Sequence, residues 1–145
     1  MADVVDPATR SRMMGNIRGR NTKPEKLVRS ALHRRGFRYR LDDRRLPGRP
    51  DLVFPRYRAV VFIHGCFWHR HAGCRLTATP QTRPQFWNAK FEANVERDRS
   101  AVRSLLGSGW RVGIIWECAT RSSLSEVVDR MSAWLISDEP TFSSD

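Results

Sequence analysis

No run in this 145-residue sequence approaches the roughly 18 consecutive apolar residues that a membrane-spanning helix needs. Its longest apolar runs, AVVFI (59–63) and VGIIW (112–116), are strand-length. The first residues, MADVVDPATRSR, lack the apolar core of a secretory leader, so a cytoplasmic protein, bacterial and nucleoid-associated if it serves DNA, is expected. Cysteine is scarce, and the three present (Cys66, Cys74, Cys118) are an odd number. That argues against a disulfide framework and leaves the thiols for a metal, provided a fourth ligand lies nearby. Negative charge is also short: 15 Asp+Glu stand against 26 Lys+Arg, a net charge of +11. Arginine heavily outnumbers lysine, and guanidinium suits bidentate phosphate contacts better than ammonium does. The balance points to a polyanionic partner, nucleic acid first. The competing explanation is an arginine-rich surface that serves solubility alone.

What is present reads as one α/β domain with no internal repeats and an ordinary 40% hydrophobic content. Residues 1–21 are polar and crowded with Arg10, Arg12, Arg18 and Arg20, and read as an arm that orders on a partner. NTKPEKLVRSALHRRGF predicts a helix with Thr22 as N-cap, Glu25 completing a capping box, a stripe of Leu27, Val28, Ala31 and Leu32, and Gly36 as the stop. FRYRL, DLVF and RAVVFIH read as strands, the last two in mid-sheet. Residues 64–83 form a long polar insert, which in a compact domain is functional or held by something. A helix over 84–106, the strand RVGIIWE and a helix over 123–136 follow, with SDEPTFSSD as a disordered tail. The order fits a mixed central sheet with helices on its faces, one domain over 22–136.

Three acids stand out. The stripe Trp87, Phe91, Val95, Val102, Leu105 leaves Asp98 on the buried face, where an acid must be paired or put to work. A salt bridge to a neighbouring arginine and a functional role both fit, and Asn94 lies near the same edge. Glu25 faces the sheet but is explained equally by its cap. Asp51 ends LPGRPD at the start of a buried strand, and His64 ends the next strand. Together they could serve Mg²⁺-assisted phosphodiester chemistry, since carboxylate oxygen suits Mg²⁺ and imidazole moves protons. An Asx-type turn is the bland alternative.

FIHGCFWHRHAGC (62–74) is the densest stretch. Cys66, Cys74 and Cys118 with His71, or with His69 in its place, could close a tetrahedral zinc site. Two imidazoles, His64 and His69, would then remain for proton transfer. Phe67 and Trp68 would be apolar wedges between DNA bases, joined by Trp87, or simply packing over the metal site.

MADVVDPATRSRMMGNI, LPGRPDLVF, FIHGCFWHRH, NVERDR, GWRV and IWEC together resemble the very short patch repair endonuclease family over about residues 1–136. The resemblance implies a zinc-containing relative of the restriction-endonuclease (PD-(D/E)XK-type) fold. It also implies nicking of double-stranded DNA 5′ to the T of a T·G mismatch left by 5-methylcytosine deamination. It implies Mg²⁺ on Asp51 and the backbone carbonyl of Ile63, catalysis by His64 and His69 with Glu25 and Asp98, and structural Zn²⁺ on Cys66, His71, Cys74 and Cys118. The DNA-facing set would be Phe67, Trp68, Trp87, Asn94, Arg10, Arg12, Arg18 and Arg20. A functional link to a cytosine-5 DNA methyltransferase, recruiting repair proteins and a monomeric state complete the expectation. Two departures stand: Ile63 occupies a position where the family has Thr, and the loop at HAGC is one residue longer. A restriction-type nuclease without mismatch preference, and a non-catalytic zinc-stabilised DNA-binding module, are the alternative classes. Asp51 beside His64 argues against the last, because a carboxylate in a phosphate groove repels.

Overall fold

The computed structural model describes residues 22–145, so the arginines of the expected N-terminal arm, Arg10, Arg12, Arg18 and Arg20, lie outside the described residues. Helix α1 spans Lys23–Arg34 and starts as its sequence dictates, with the Glu25 amide donating to the Thr22 hydroxyl at 3.4 Å. Strands β1 (Arg40–Leu41), β2 (Leu52–Phe54) and β3 (Ala59–His64) follow, then the one-turn helix α2 (Cys66–His69) inside the long insert. Helix α3 (Pro84–Gly107), strand β4 (Arg111–Trp116), helix α4 (Glu117–Leu135) and strand β5 (Thr141–Ser143) complete the chain.

The five strands lie in the order of the sequence, β1 to β5. The first three are antiparallel neighbours, while β3, β4 and β5 are parallel, with Ala59 beside Arg111 and His64 beside Trp116. Parallel pairs need a crossover, and α3 supplies the one between β3 and β4. Alternation along β3 sorts the core into two layers. Ala59 and Val61 pack with Val28, Leu32, Val127, Val128 and Met131, the layer under α1 and α4. Val60 and Phe62 pack with Ala101 and Leu105 of α3. Each fully buried Leu or Phe here contributes about 1.5–3 kcal/mol. By that alternation His64 at the end of β3 faces the α3 side.

The expected elements recur with three shifts. Leu27 is exposed, because the buried stripe of α1 runs through Glu25, Val28 and Leu32. Helix α4 starts at Glu117, six residues before the expected cap, and Ser123 marks a kink at φ −155°. The expected cap residue is thus the start of the second, apolar segment, and the first segment carries Cys118. The tail expected to be disordered instead adds β5 to the sheet edge. Phe142 rests against Trp134 at 5.8 Å, and the Arg130 guanidinium covers Phe142 and donates to the carbonyls of Ser143 and Ser144. The aromatic pair and the arginine add to the backbone bonds of Val112 to the Pro140 carbonyl and of Ser144 to the Ile114 carbonyl, and so dock a segment whose composition is otherwise that of a loop. No helix among the described residues is long and apolar enough to cross a membrane.

Candidate active site and metal centre

The carboxyl ends of β3 and β4 lie side by side, the place where open α/β sheets present their ligands. His64 ends β3, Trp116 ends β4, and α2 begins two residues past His64. Two clusters of metal-ligand and acid–base groups form there: His64, His69 and Asp98, and Cys66, His71, Cys74 and Cys118. In each, the ligand atoms lie within 4.8 Å of one another.

In the first cluster the rings of His64 and His69 stack at 3.8 Å with 4° between planes. His69 Nδ1 meets Asp98 Oδ2 at 2.6 Å. Asp98 sits in the inward stripe of α3 with Phe91, Asn94, Ala101 and Leu105, so the acid on the buried face is paired with a histidine and not with a neighbouring arginine. His64 is 4% exposed, and its Nδ1 is a buried atom with no hydrogen-bond partner among the described residues. Burial first, then the charge of His69, drive its pKa well below 6.5. Two stacked imidazoles cannot both hold a proton cheaply, and burial keeps His64 neutral.

Asp51 stands just before β2, and its Oδ2 accepts the Ile63 amide at 2.7 Å across to β3. The acid is thereby tied to the peptide that precedes His64, although its carboxylate is not within the tight His64–His69–Asp98 group. The bond is made by the Ile63 peptide and not by its side chain. Gly48 shapes the approach of LPGRPD: its φ is +72°, and a Cβ there would lie 2.6 Å from Ala101 of α3. Glu25 is 4% exposed and pairs with Arg29 at 3.0 Å. It lies on α1, against the opposite face of the sheet from α3.

In the second cluster His71 Nδ1 lies 3.6 Å from Cys66 Sγ and 3.5 Å from Cys118 Sγ. The choice between His69 and His71 is made by the local backbone. Arg70 ends α2 in the left-handed region at φ 53°, turning His71 back, its amide on the Cys66 carbonyl at 3.1 Å. His69 stays on the helical turn facing α3. The longer HAGC loop closes through Gly73 at φ +69°, with open space where a side chain would stand, and still delivers Cys74. Peptide N–H groups point at sulfur: Leu76 to Cys74 and Cys118 to Cys66, both at 3.4 Å. Burial pushes the Cys66 thiol up to about 12 and raises Cys118 too. Burial also opposes ionisation of Cys74, but the Leu76 amide and its neighbours outweigh it and bring it to about 7. Three crowded sulfurs without disulfides ionise together only around a cation, and this S₃N donor set fits a soft, tetrahedral ion.

Phe67, Trp68, Trp87 and Phe91 form one aromatic cluster, with Phe67 to Trp68 at 5.0 Å and Trp68 to Trp87 at 6.0 Å. Trp68 is only 8% exposed, and its carbonyl accepts from Asn94 Nδ2 at 3.3 Å. Asn94, expected on the DNA side, is itself buried and hydrogen-bonded to Arg97 as well, and so props the Trp68 backbone. Two residues escaped the sequence reading. Phe86 is 47% exposed at the start of α3 against Trp87, with the Arg83 guanidinium 4.7 Å above its ring. Arg70 lies 4.0 Å over Phe91 and donates to the Ala78 carbonyl at 2.9 Å, clamping the insert onto the aromatics. The adjacent FW and RH pairs were the only signals, and neither tells which member faces out.

Fold and site thus define an α/β protein with an imidazole–carboxylate cluster and a thiol-rich cluster that could hold a metal ion, side by side at the carboxyl ends of β3 and β4. The family profile described as "DNA mismatch endonuclease Vsr" matches residues 2–75. "DNA mismatch endonuclease Vsr" of Escherichia coli (strain K12) is 48% identical over 139 residues, 93% of this chain and 88% of that one. "Type II nicking enzyme V.XorIIP" of Xanthomonas oryzae pv. oryzae is 48% identical over 118 residues, covering 81% of this chain and 86% of that protein. "Type II nicking enzyme V.NmeAIP" of Neisseria meningitidis is 42% identical over 122 residues, 84% and 86% of the two chains. The chain belongs to the Vsr family of DNA mismatch endonucleases.

Proposed function

We propose that this protein nicks double-stranded DNA 5′ to the T of a T·G mismatch, in the very short patch repair of deaminated 5-methylcytosine, on a restriction-endonuclease-like fold. The observation that carries the reading is the Asp98–His69–His64 arrangement next to the Asp51-anchored end of β3. With Nδ1 of His69 hydrogen-bonded to Asp98, the lone pair of neutral His69 lies on Nε2, where it can take a proton from a water attacking the scissile phosphorus. The P–O3′ bond then breaks and leaves a 5′-phosphate. His64, buried and neutral, holds the His69 ring face to face and keeps it from turning. Asp51 and the Ile63 carbonyl are the oxygen donors that would hold Mg²⁺. Bound there, the ion supplies charge neutralisation at the phosphate. Glu25, on α1, completes the catalytic set in this reading. Cys66, His71, Cys74 and Cys118 would hold a structural Zn²⁺ that keeps α2, and with it His69, in register with β3.

Phe67, Trp68 and Trp87 would wedge beside the mismatch, where stacking is already weakened, with Asn94 supporting them and the arginine arm, Arg10, Arg12, Arg18 and Arg20, on the backbone. The protein would act as a monomer, paired in function with a cytosine-5 DNA methyltransferase and with repair proteins that take over the nick. Two relatives bear the words "type II nicking enzyme", which also fits a restriction-type nuclease indifferent to mismatches. Single-turnover nicking of T·G and T·A duplexes in one sequence context, with and without Mg²⁺, separates the two. Preference for T·G is expected, and equal rates would transfer the reading to the general nuclease.

A further inference from the structure

His71 has a second partner. Its Nε2 lies 2.5 Å from Oδ1 of Asp145, on the side of the ring away from the sulfurs, while Nδ1 faces Cys66 and Cys118. The imidazole is thus spoken for at both nitrogens and on one face, where Trp116 stacks at 4.2 Å with 9° between planes. The carboxylate is held in place by the edge of the sheet. Strand β5 runs parallel to β4, the Ser144 amide donates to the Ile114 carbonyl at 3.0 Å, and the Trp116 amide donates to the Ser144 hydroxyl at 2.9 Å. The Asp145 amide closes on the Ser143 hydroxyl at 3.2 Å. An exposed ion pair usually contributes little, and the Asp145 side chain is 60% exposed. Its partner differs from a surface histidine, because the His71 side chain is 8% exposed and belongs to the thiol cluster.

We propose that Asp145 is a positioning residue of the metal centre, and that β5 is the element that brings it there. The carboxylate accepts the proton of His71 Nε2, which selects the tautomer with its lone pair on Nδ1, directed at the sulfurs. A histidine ligand whose far nitrogen is held by a carboxylate is better oriented and more basic, and loss of such a partner commonly weakens metal binding by about 10–100-fold. The tail is therefore part of the centre and not an appendage. The proposal rests on the zinc reading above.

The test is zinc affinity by competition with a chromophoric chelator, on the full chain loaded with one equivalent of Zn²⁺. Asp145→Ala is expected to bind zinc about 10–100-fold more weakly than wild type. Asp145→Asn, which keeps an acceptor oxygen but loses its charge, is expected to fall between them. In a His71→Cys background, where no imidazole remains to orient, Asp145→Ala is expected to change nothing further. If that background does not fold, the ranking of wild type, Asn and Ala decides. Affinities within about twofold of wild type for both Asp145 variants would overturn the proposal while leaving the zinc reading intact. The same loss in the His71→Cys background would overturn it too, by making the tail a general brace. A wild-type protein that retains less than about half an equivalent of zinc would overturn both readings at once.

Discussion

The two clusters at the ends of β3 and β4 are built from neighbouring residues and have opposite characters. The thiol cluster is closed: the sulfurs of Cys66 and Cys74 accept peptide N–H groups, that of Cys118 meets His71, the histidine is held from two sides, and the sequence span is stitched by Thr77 to the carbonyls of Cys66 and His71. The imidazole–carboxylate cluster is open: His69 and Asp98 are each 28% exposed, and a buried nitrogen of His64 has no partner among the described residues. A centre whose donors are all engaged serves stability. One with exposed acid–base groups and an unspent nitrogen serves chemistry, and it carries cost in the resting fold. Their interleaving in one stretch, His64 and His69 to one and Cys66 and His71 to the other, means that the closed centre sets the geometry of the open one.

This contrast can be broken by perturbing one centre at a time. Asp51→Ala is expected to lower single-turnover nicking of a T·G duplex by about 10³-fold or more while leaving binding of the same duplex unchanged, with the melting temperature lowered by only a few degrees as the Ile63 amide loses its acceptor. Undiminished nicking would remove Asp51 from the mechanism. Next in size, His69→Ala is expected to cost about 10²–10⁴-fold in the nicking rate, with Asp98→Asn costing less and the melting temperature preserved in both. If Asp98→Asn instead unfolds the protein, the 2.6 Å pair is structural and the centres are not separable. Removal of metal from the thiol centre by a strong chelator should do the reverse first: a drop on the order of 10 °C in melting temperature, with activity lost as a consequence.

The smallest effect is on the pH dependence of stability. His64 is held neutral in the fold, with its pKa well below the ordinary 6.5, so the unfolded chain binds more protons between those values. Stability is therefore full above about pH 6.5 and falls as the pH drops through the window beneath it, by at most about 1.4 kcal/mol per pH unit. Urea midpoints at pH 7.5 and 5.5 should fall more steeply for wild type than for His64→Phe; parallel curves would show that burial of His64 carries no such cost.

Much of the fold was legible in local pattern. Thr22 as a cap, the apolar run of β3, the stripe of Val127, Val128 and Met131 and the misplaced acid Asp98 all express periodicities of a few residues. The candidate thiols were legible too, because only three cysteines are available, but the pattern left both His69 and His71 as candidates for the fourth place. What failed was phase and docking. Glu25 faces the sheet as its spacing predicts, but Leu27, half a turn of helix away, is exposed, and its apolar character alone misplaces it in the buried stripe. The first turns of α4 have no apolar stripe to announce them, and β5 is three residues whose pairing depends on Phe142 finding Trp134.

The sequence by itself determined the class of the protein, its strands and helices, and the inventory of groups that can bind metal or move protons. The tertiary structure decided which histidine joins which centre. That choice depends on the left-handed turn at Arg70 and on partners 47 and 74 residues away in the chain, Cys118 and Asp145. Contacts at that separation exist only after the parallel pairing of β3 with β4 and β4 with β5, and no local pattern in FIHGCFWHRHAGC encodes them.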